Sequence, residues 1–238
     1  MTVEIEDGMN TFFKTHNSKA VMINGYGMTE LCSAAITNFS FAVRRGSIGI
    51  PMPVNIVKIV EPETEKELKY NEIGEICICS PCPMIGYYKN REATNELIRI
   101  HSDGLRWVHS GDLGYVDEDG FVFITGRMKR IILTSYTEIP SKIFPDRIEK
   151  VIMQHPDVFQ CCVVSDPHPQ YRFVTKAHIV LRKRNEKDKK EIEKEVRQIC
   201  MDNLPEYSVP FSYYFRESLP LTAVGKVDWI ALEKEYQQ

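Results

Sequence analysis

Residues 24 to 30 read Asn-Gly-Tyr-Gly-Met-Thr-Glu, which places a hydroxyl, Thr29, and a carboxylate, Glu30, directly after two glycines. Such a set can serve a nucleotide. Gly25 and Gly27 permit close backbone approach, Thr29 offers a donor to phosphate, and Glu30 can hold the magnesium that travels with phosphates. The expected setting is a buried strand over 20–23, a glycine loop, and a helix over 31–39 whose first N–H groups face the phosphate. The spacing approaches G-x-G-x-x-G, but Glu30 occupies the third glycine position, which argues against a dinucleotide site. A plain turn holding two glycines is the alternative.

Two more side chains stand where chemistry is possible. Asp112 closes the run Trp107-Val108-His109-Ser110-Gly111-Asp112, read as an apolar strand that stops in a glycine loop. An exposed carboxylate there can accept from both hydroxyls of a ribose, or it can bond its own backbone as a turn former. Lys226 follows Gly225 in a proline-flanked loop, where its flexible stem could carry an ammonium group to a phosphate or leave it an ordinary surface lysine. Arg127, Lys129 and Arg130 put three cations into four positions between apolar strands, so they must be exposed or paired with anions.

Other polar residues read as structural. His109 is a strand residue rather than a base. Asp117-Glu118-Asp119-Gly120 is a hairpin turn, since the distal Glu of a calcium loop is absent at the required spacing. Cys77 and Cys79 alternate onto one strand face, and with Cys82 they read as small buried side chains because no second ligand pair follows.

Composition is that of a globular protein: 43% hydrophobic and 26% charged residues over 238 positions, with no tract near the roughly 18 apolar residues of a membrane span. The net charge of -3 argues against nucleic acid as a partner. The acidic start shows no secretory leader, so cytoplasmic residence is expected and the seven cysteines read as reduced thiols.

The elements that must position these residues change character along the chain. A helix is expected within 2–19, followed by one strand and helix unit to residue 43, the end of a doubly wound subdomain whose earlier units lie elsewhere. Residues 44–126 alternate as short strands with turns, the pattern of a small β-barrel or sandwich. Longer helices return after 130. Residues 145–155 carry Ile148, Val151 and Ile152 on one face, and the charge-dense run 182–194 leads into a helix with Ile192, Val196, Ile199 and Cys200 on one face.

In this order the motifs resemble the second half of an adenylate-forming, AMP-binding enzyme, the superfamily of acyl-CoA synthetases, luciferases and nonribosomal-peptide adenylation domains, most like an acyl-CoA synthetase or long-chain-fatty-acid CoA ligase. NGYGMTE at 24–30 is similar to the family's YGxTE motif. GSIGIPMP at 46–53 and GEICICSPCPMIGYYKN at 74–90 resemble its β-subdomain motifs, HSGDLGYVDEDGFVFITGRMKR at 109–130 its ribose and hinge motifs, and LPEYSVP at 204–210 and LPLTAVGKVD at 219–228 its closing motifs.

The resemblance implies a fold in which 1–126 form the C-terminal part of the large AMP-binding domain, 127–130 a hinge, and 131–238 a mobile α+β lid. It implies that Gly25, Tyr26, Gly27 and Thr29 contact the nucleotide, with the tyrosine on adenine, and that Glu30 binds magnesium. Gly27 and Met28 would line the acyl pocket, Asp112 and Arg127 would hold the ribose, Lys129 would be the pivot, and Lys226 would be the adenylation lysine. The implied reaction uses ATP and Mg2+ to convert a carboxylic acid to an acyl-adenylate and then transfers it to a thiol, that of coenzyme A or of a carrier protein. An adenylation domain that loads a carrier, or a noncatalytic binding module that keeps the fold, are the alternatives. The family's Ser/Thr/Gly-rich phosphate loop has no counterpart in 1–238, so the chain reads as a fragment that is inactive alone. Where the family has a paired-glycine loop, this chain has the bulkier run 134–141, whose side chains could obstruct the tunnel that the pantetheine of coenzyme A would use.

Overall fold

Apolar alternation organises both halves of the chain, first into antiparallel sheets and then into sheets covered by helices. The computed structural model describes residues 3–138, 140–182, 188–223 and 225–235, with the backbone only for Val3 and Glu4. The charge-dense run therefore falls in part outside the described residues, as do position 139 of the run 134–141 and position 224 of the lysine loop. The chain divides into two compact units, Met1–Met128 and Lys129–Gln238.

In the first unit, helix α1 (Val3–Thr15) precedes a three-stranded sheet of β1 (Gly25–Met28), β2 (Ser33–Thr37) and β3 (Ile50–Pro51) in that order. A second sheet contains β4 (Ile56–Val60), β5 (Gly74–Cys79), β6 (Ile98–Ile100), β7 (Arg106–Val116) and β8 (Val122–Arg127), with the short helix α2 (Arg91–Leu97) before β6. The 11-residue β7 is the axis of this sheet. One edge pairs with β5, while the other takes β6 along its first residues and β8 along its last. The sheets stay open rather than closing into a barrel, because β4 and β6 are not paired to each other. Ile36, Ile59, Ile76, Ile78, Val108 and Val122 form the buried core between these elements.

The second unit opens with the hairpin β9 (Ile132–Thr134) and β10 (Ser141–Ile143), then α3 (Pro145–Ile152). Strands β11 (Val158–His168) and β12 (Arg172–Leu181) pair antiparallel, and β13 (Ser212–Arg216) adds parallel to β12 after helix α4 (Lys189–Asn203). Helix α5 (Trp229–Lys234) closes the described chain, its first turn capped by Asp228, which accepts from the Ala231 amide at 3.0 Å. The expected helix faces form. Ile148, Val151 and Ile152 of α3 and Ile192, Val196 and Cys200 of α4 are buried in one core, and Ile199 packs against it partly buried. Each fully buried aliphatic side chain contributes about 1.5–3 kcal/mol by leaving water, far more than the helix propensity of its short segment.

Two local expectations are overturned. Residues 20–23 form no strand and are largely exposed. Residues 31–39 form no helix: a single 3-10 turn, Thr29–Leu31, is followed by Cys32 at φ 62° and then by strand β2. Alanines at 34 and 35 suit a helix locally, but β1 supplies a ladder on which Gly25 pairs with Thr37 and Tyr26 with Ile36. Glycine is required for that approach, since a Cβ at Gly27 would lie 2.4 Å from the Ser33 carbonyl oxygen and 2.5 Å from the Ala34 Cα. Long-range pairing thus overrides local propensity.

Candidate functional site

Because the Gly25–Met28 segment is itself a strand, the α-helix start expected beside Thr29 and Glu30 is replaced by a short 3-10 turn. The two residues occupy the 3-10 turn that joins β1 to β2, Thr29 exposed and Glu30 half-buried. Glu30 is held on two sides: its carbonyl accepts from the Met84 amide at 2.7 Å, and its Oε1 accepts from the Tyr87 hydroxyl at 2.8 Å. Burial first, then the Glu30 hydrogen bond, push the Tyr87 phenol up to about 12, so it stays a donor. Among the described residues the second carboxylate oxygen of Glu30 has no hydrogen-bond partner. A partly solvated carboxylate of this kind suits magnesium, which keeps several waters and takes only one or two protein carboxylates beside substrate phosphates.

Asp112 sits differently from the exposed strand end expected of it. It lies within β7, 5% exposed, directly opposite Arg127 on β8. The Arg127 Nε forms an ion pair with its Oδ1 at 3.0 Å, and the Tyr26 hydroxyl donates to its Oδ2 at 2.5 Å. Burial, reinforced by the adjacent Asp112 carboxylate, lifts the Tyr26 phenol well above its ordinary range, which keeps it protonated and donating. Three side chains from β1, β7 and β8 therefore meet at one point, although Tyr26 and Asp112 are 86 positions apart. The Arg127 side chain is 60% exposed, so its outer donors face solvent while Nε is anchored. A buried carboxylate flanked by a guanidinium and a phenol offers acceptor and donor groups side by side, the combination a diol on a charged ligand requires. Gly27 is exposed at the same strand, and Met28 packs partly into the core.

Lys129, Arg130 and Lys226 belong to the second unit. Lys129 is exposed in the 3-10 turn Met128–Arg130. Arg130 is half-buried, with its side chain 11% exposed, and donates to Asp146 at 2.8 Å, to Glu149 at 2.5 Å and to the Val163 carbonyl at 3.0 Å. Burial alone would lower its guanidinium, but the Glu149 hydrogen bond and the two carboxylates hold it raised. The three cations thus divide: Arg127 and Arg130 are paired with anions, and Lys129 is exposed. Lys226 is exposed on a loop closed by the Thr222 amide, which donates to the Lys226 carbonyl at 2.7 Å, and by the Lys226 amide, which donates to Thr222 Oγ1 at 3.2 Å. In the run 134–141, Tyr136 packs at a tilt against Tyr171 with ring centroids 4.7 Å apart and donates to Glu206 at 2.9 Å, so an aromatic contact and a hydrogen bond hold this residue.

A buried polar cluster beneath Asp112 was not read from the sequence as a unit. His109 Nδ1 lies 2.8 Å from Glu75 Oε2, and its Nε2 lies 2.9 Å from His101 Nε2. The available signal was a glutamate and a histidine inside otherwise apolar strands. Cys77 approaches the same ring, and the ligand atoms of Glu75, Cys77 and His109 lie within 4.8 Å of one another. The arrangement reads as a hydrogen-bond chain rather than a metal centre: His109 Nδ1 is engaged by Glu75, and burial together with the Glu75 charge raises the Cys77 thiol, whereas metal ligation needs a thiolate. Cys77 is buried as expected, but Cys79 is only half-buried and Cys82 is exposed.

Comparison with known proteins matches residues 4–88 to the AMP-binding enzyme family and residues 147–226 to the AMP-binding enzyme C-terminal domain. A probable 4-coumarate–CoA ligase 2 of Dictyostelium discoideum is 36% identical over 225 residues, covering 94% of this chain and 38% of that protein. The long-chain-fatty-acid–CoA ligase of Salmonella typhimurium is 34% identical over 207 residues, covering 87% of this chain and 34% of that protein. Among solved structures, ATP-bound MatB from Rhodopseudomonas palustris superposes with a TM-score of 0.83 at 26% identity, over 100% of this chain and 44% of the MatB chain. The chain thus spans less than half the length of each of these proteins. No helix among the described residues is long and apolar enough to cross a membrane.

Proposed function

The chain belongs to the AMP-binding enzyme family of adenylate-forming proteins, and from that premise we propose that it supplies the ribose-holding and lid segments of an ATP-dependent, AMP-forming ligase that joins an acyl or aryl carboxylic acid to coenzyme A. The observation that carries this reading is the meeting of Tyr26, Asp112 and Arg127 around one buried carboxylate. The relatives' names support a carboxylic acid and coenzyme A as substrates, and the ATP-bound neighbour supports the nucleotide.

In this reading Asp112 accepts from the ribose hydroxyls, with Arg127 beside it and Tyr26 against the base. Gly25 and Gly27 keep β1 against β2 and contact the nucleotide through their backbone, and Gly27 with Met28 borders the acid. The acid's carboxylate attacks the α-phosphorus of ATP, an acyl–phosphate bond forms, the bond between the α-phosphorus and the bridging oxygen breaks, and pyrophosphate leaves. Thr29 and Lys226 stabilise the charge that develops on the phosphate oxygens. Magnesium held at Glu30 would screen the phosphates so that an anionic carboxylate can approach. The thiol then attacks the acyl carbon, losing its proton as the thioester forms and AMP departs. Between the two steps the lid turns about Lys129. The chain on its own is expected to show no turnover, because residues 1–238 contain no Ser/Thr/Gly-rich phosphate loop.

The test is ATP–pyrophosphate exchange by the native polypeptide that carries this sequence, with a panel of aryl and acyl acids. Asp112→Asn is expected to raise KM for ATP by about tenfold or more, the value of a lost charge-assisted hydrogen bond. Exchange with no acid in the panel, or an Asp112→Asn variant with unchanged KM, would overturn the proposal.

A further inference from the structure

Asp112 lies within one irregularity in the pairing of β7 and beside a second. Glu75 pairs with Leu113 and Cys77 with His109, so β7 uses two more residues than β5 to cover the same stretch. Against β8 the register slips again between Leu113 and Gly114. Such bulges bend a strand and re-aim a side chain, and they take amides out of the regular ladder.

Side chains replace the missing ladder partners. The Gly111 amide donates to Glu75 Oε1 at 3.0 Å, the Asp112 amide donates to Ser110 Oγ at 3.1 Å, and Ser110 Oγ donates to the Ile76 carbonyl at 2.7 Å. Gly111 has φ +70° with open space where a Cβ would stand, so glycine is needed here for its backbone angle rather than for room. The other oxygen of Glu75 faces His109 Nδ1 at 2.8 Å, and His101 supports His109 from behind at 2.9 Å. Glu75 is 4% exposed, and both histidines are 3% exposed. A buried acid inside a sheet is often just a satisfied core group. This one, however, is bonded to the amide next to the carboxylate that meets Tyr26 and Arg127.

We propose that Glu75, oriented by His109, is a positioning residue for Asp112: it holds the Gly111 bulge that aims the Asp112 carboxylate between Tyr26 and Arg127. This rests on the ribose role assigned to Asp112 above. Glu75 touches no ligand in this scheme and acts only through the backbone of its neighbour.

The experiment compares ATP with 2′,3′-dideoxy-ATP as ligands of the native polypeptide, in wild type, Glu75→Ala and Glu75→Gln. Wild type is expected to prefer ATP. Glu75→Ala should lose about tenfold or more of that preference, mainly through weaker ATP binding. Glu75→Gln should keep most of it, since its amide oxygen can still accept from Gly111 while its NH2 group faces His109 in the other tautomer. His101 Nδ1, which has no partner among the described residues, can then take the displaced proton. Amide hydrogen exchange supplies an independent readout: in Glu75→Ala the Gly111 amide should lose protection while β4 and β5 keep theirs. A Glu75→Ala protein with wild-type ribose preference would overturn the inference, as would equal weakening of both nucleotides, which marks a merely structural role. Absence of ribose preference in wild type would remove the assignment of Asp112 and this inference with it.

Discussion

At the scale of single residues, charge placement divides the polar side chains into those the fold consumes and those it leaves available. Arg130 is consumed: its donors are taken by Asp146, Glu149 and Val163. Lys226 is exposed at the closing end of a loop whose backbone is tied to Thr222. In the native polypeptide Lys226→Ala is expected to lower pyrophosphate exchange by roughly 10²–10³, the loss typical of one preorganised donor to developing charge. Melting temperature should stay near wild type because the Lys226 side chain is exposed and the loop's bonds to Thr222 are made by its backbone. Exchange at the wild-type rate would remove Lys226 from the phosphate chemistry.

At the scale of elements, the β12–β13 pair carries a pH-sensitive contact. His178 is fully buried on β12, its Nδ1 accepting from Arg216 Nε at 2.9 Å on β13, and Arg216 in turn pairs with Glu235. Burial first, then the Arg216 guanidinium, lower His178 from 6.5 to about 4. The folded protein therefore keeps the imidazole neutral where the unfolded chain already binds a proton. The unfolded state holds more protons between about pH 6.5 and 4, so stability falls as pH drops through that window and is unaffected by this group above it. The expected loss is about 2–3 kcal/mol by pH 4. Denaturant unfolding across this range should show a shallower pH slope in His178→Gln. An equal slope in both proteins would show that other groups set the acid sensitivity.

At the scale of the whole molecule, the covalent link between the units is short. Arg127 is tied to Asp112 in the first unit and Arg130 to Asp146 and Glu149 in the second, so only Met128 and Lys129 separate the two anchors. If the units turn against each other during the proposed reaction, the change in backbone angles falls on these two residues. Lys129→Pro, which restricts φ at that point, is expected to slow thioester formation more than pyrophosphate exchange. Rapid quench of the two half-reactions separates the steps, and equal slowing of both would argue against a pivot there.

The sequence by itself determined the family resemblance, the mixed α/β class and the buried faces of α3 and α4, because motif order and 3.6-residue periodicity are local properties that survive without coordinates. It also marked Tyr26, Asp112, Arg127 and Lys226 as residues with chemical potential. Only the tertiary structure decided that residues 33–37 are a strand, that Asp112 is buried within β7 rather than exposed at its end, and that Tyr26 reaches it. Each of those facts depends on a partner strand far away in the chain: β1 beside β2, and a β7 register interrupted by bulges against β5 and β8. Hydrogen-bond ladders and burial are set by pairing between distant segments, so a local pattern that suits a helix at 31–39, or a strand that stops at residue 112, carries no information about which neighbour will occupy its edge.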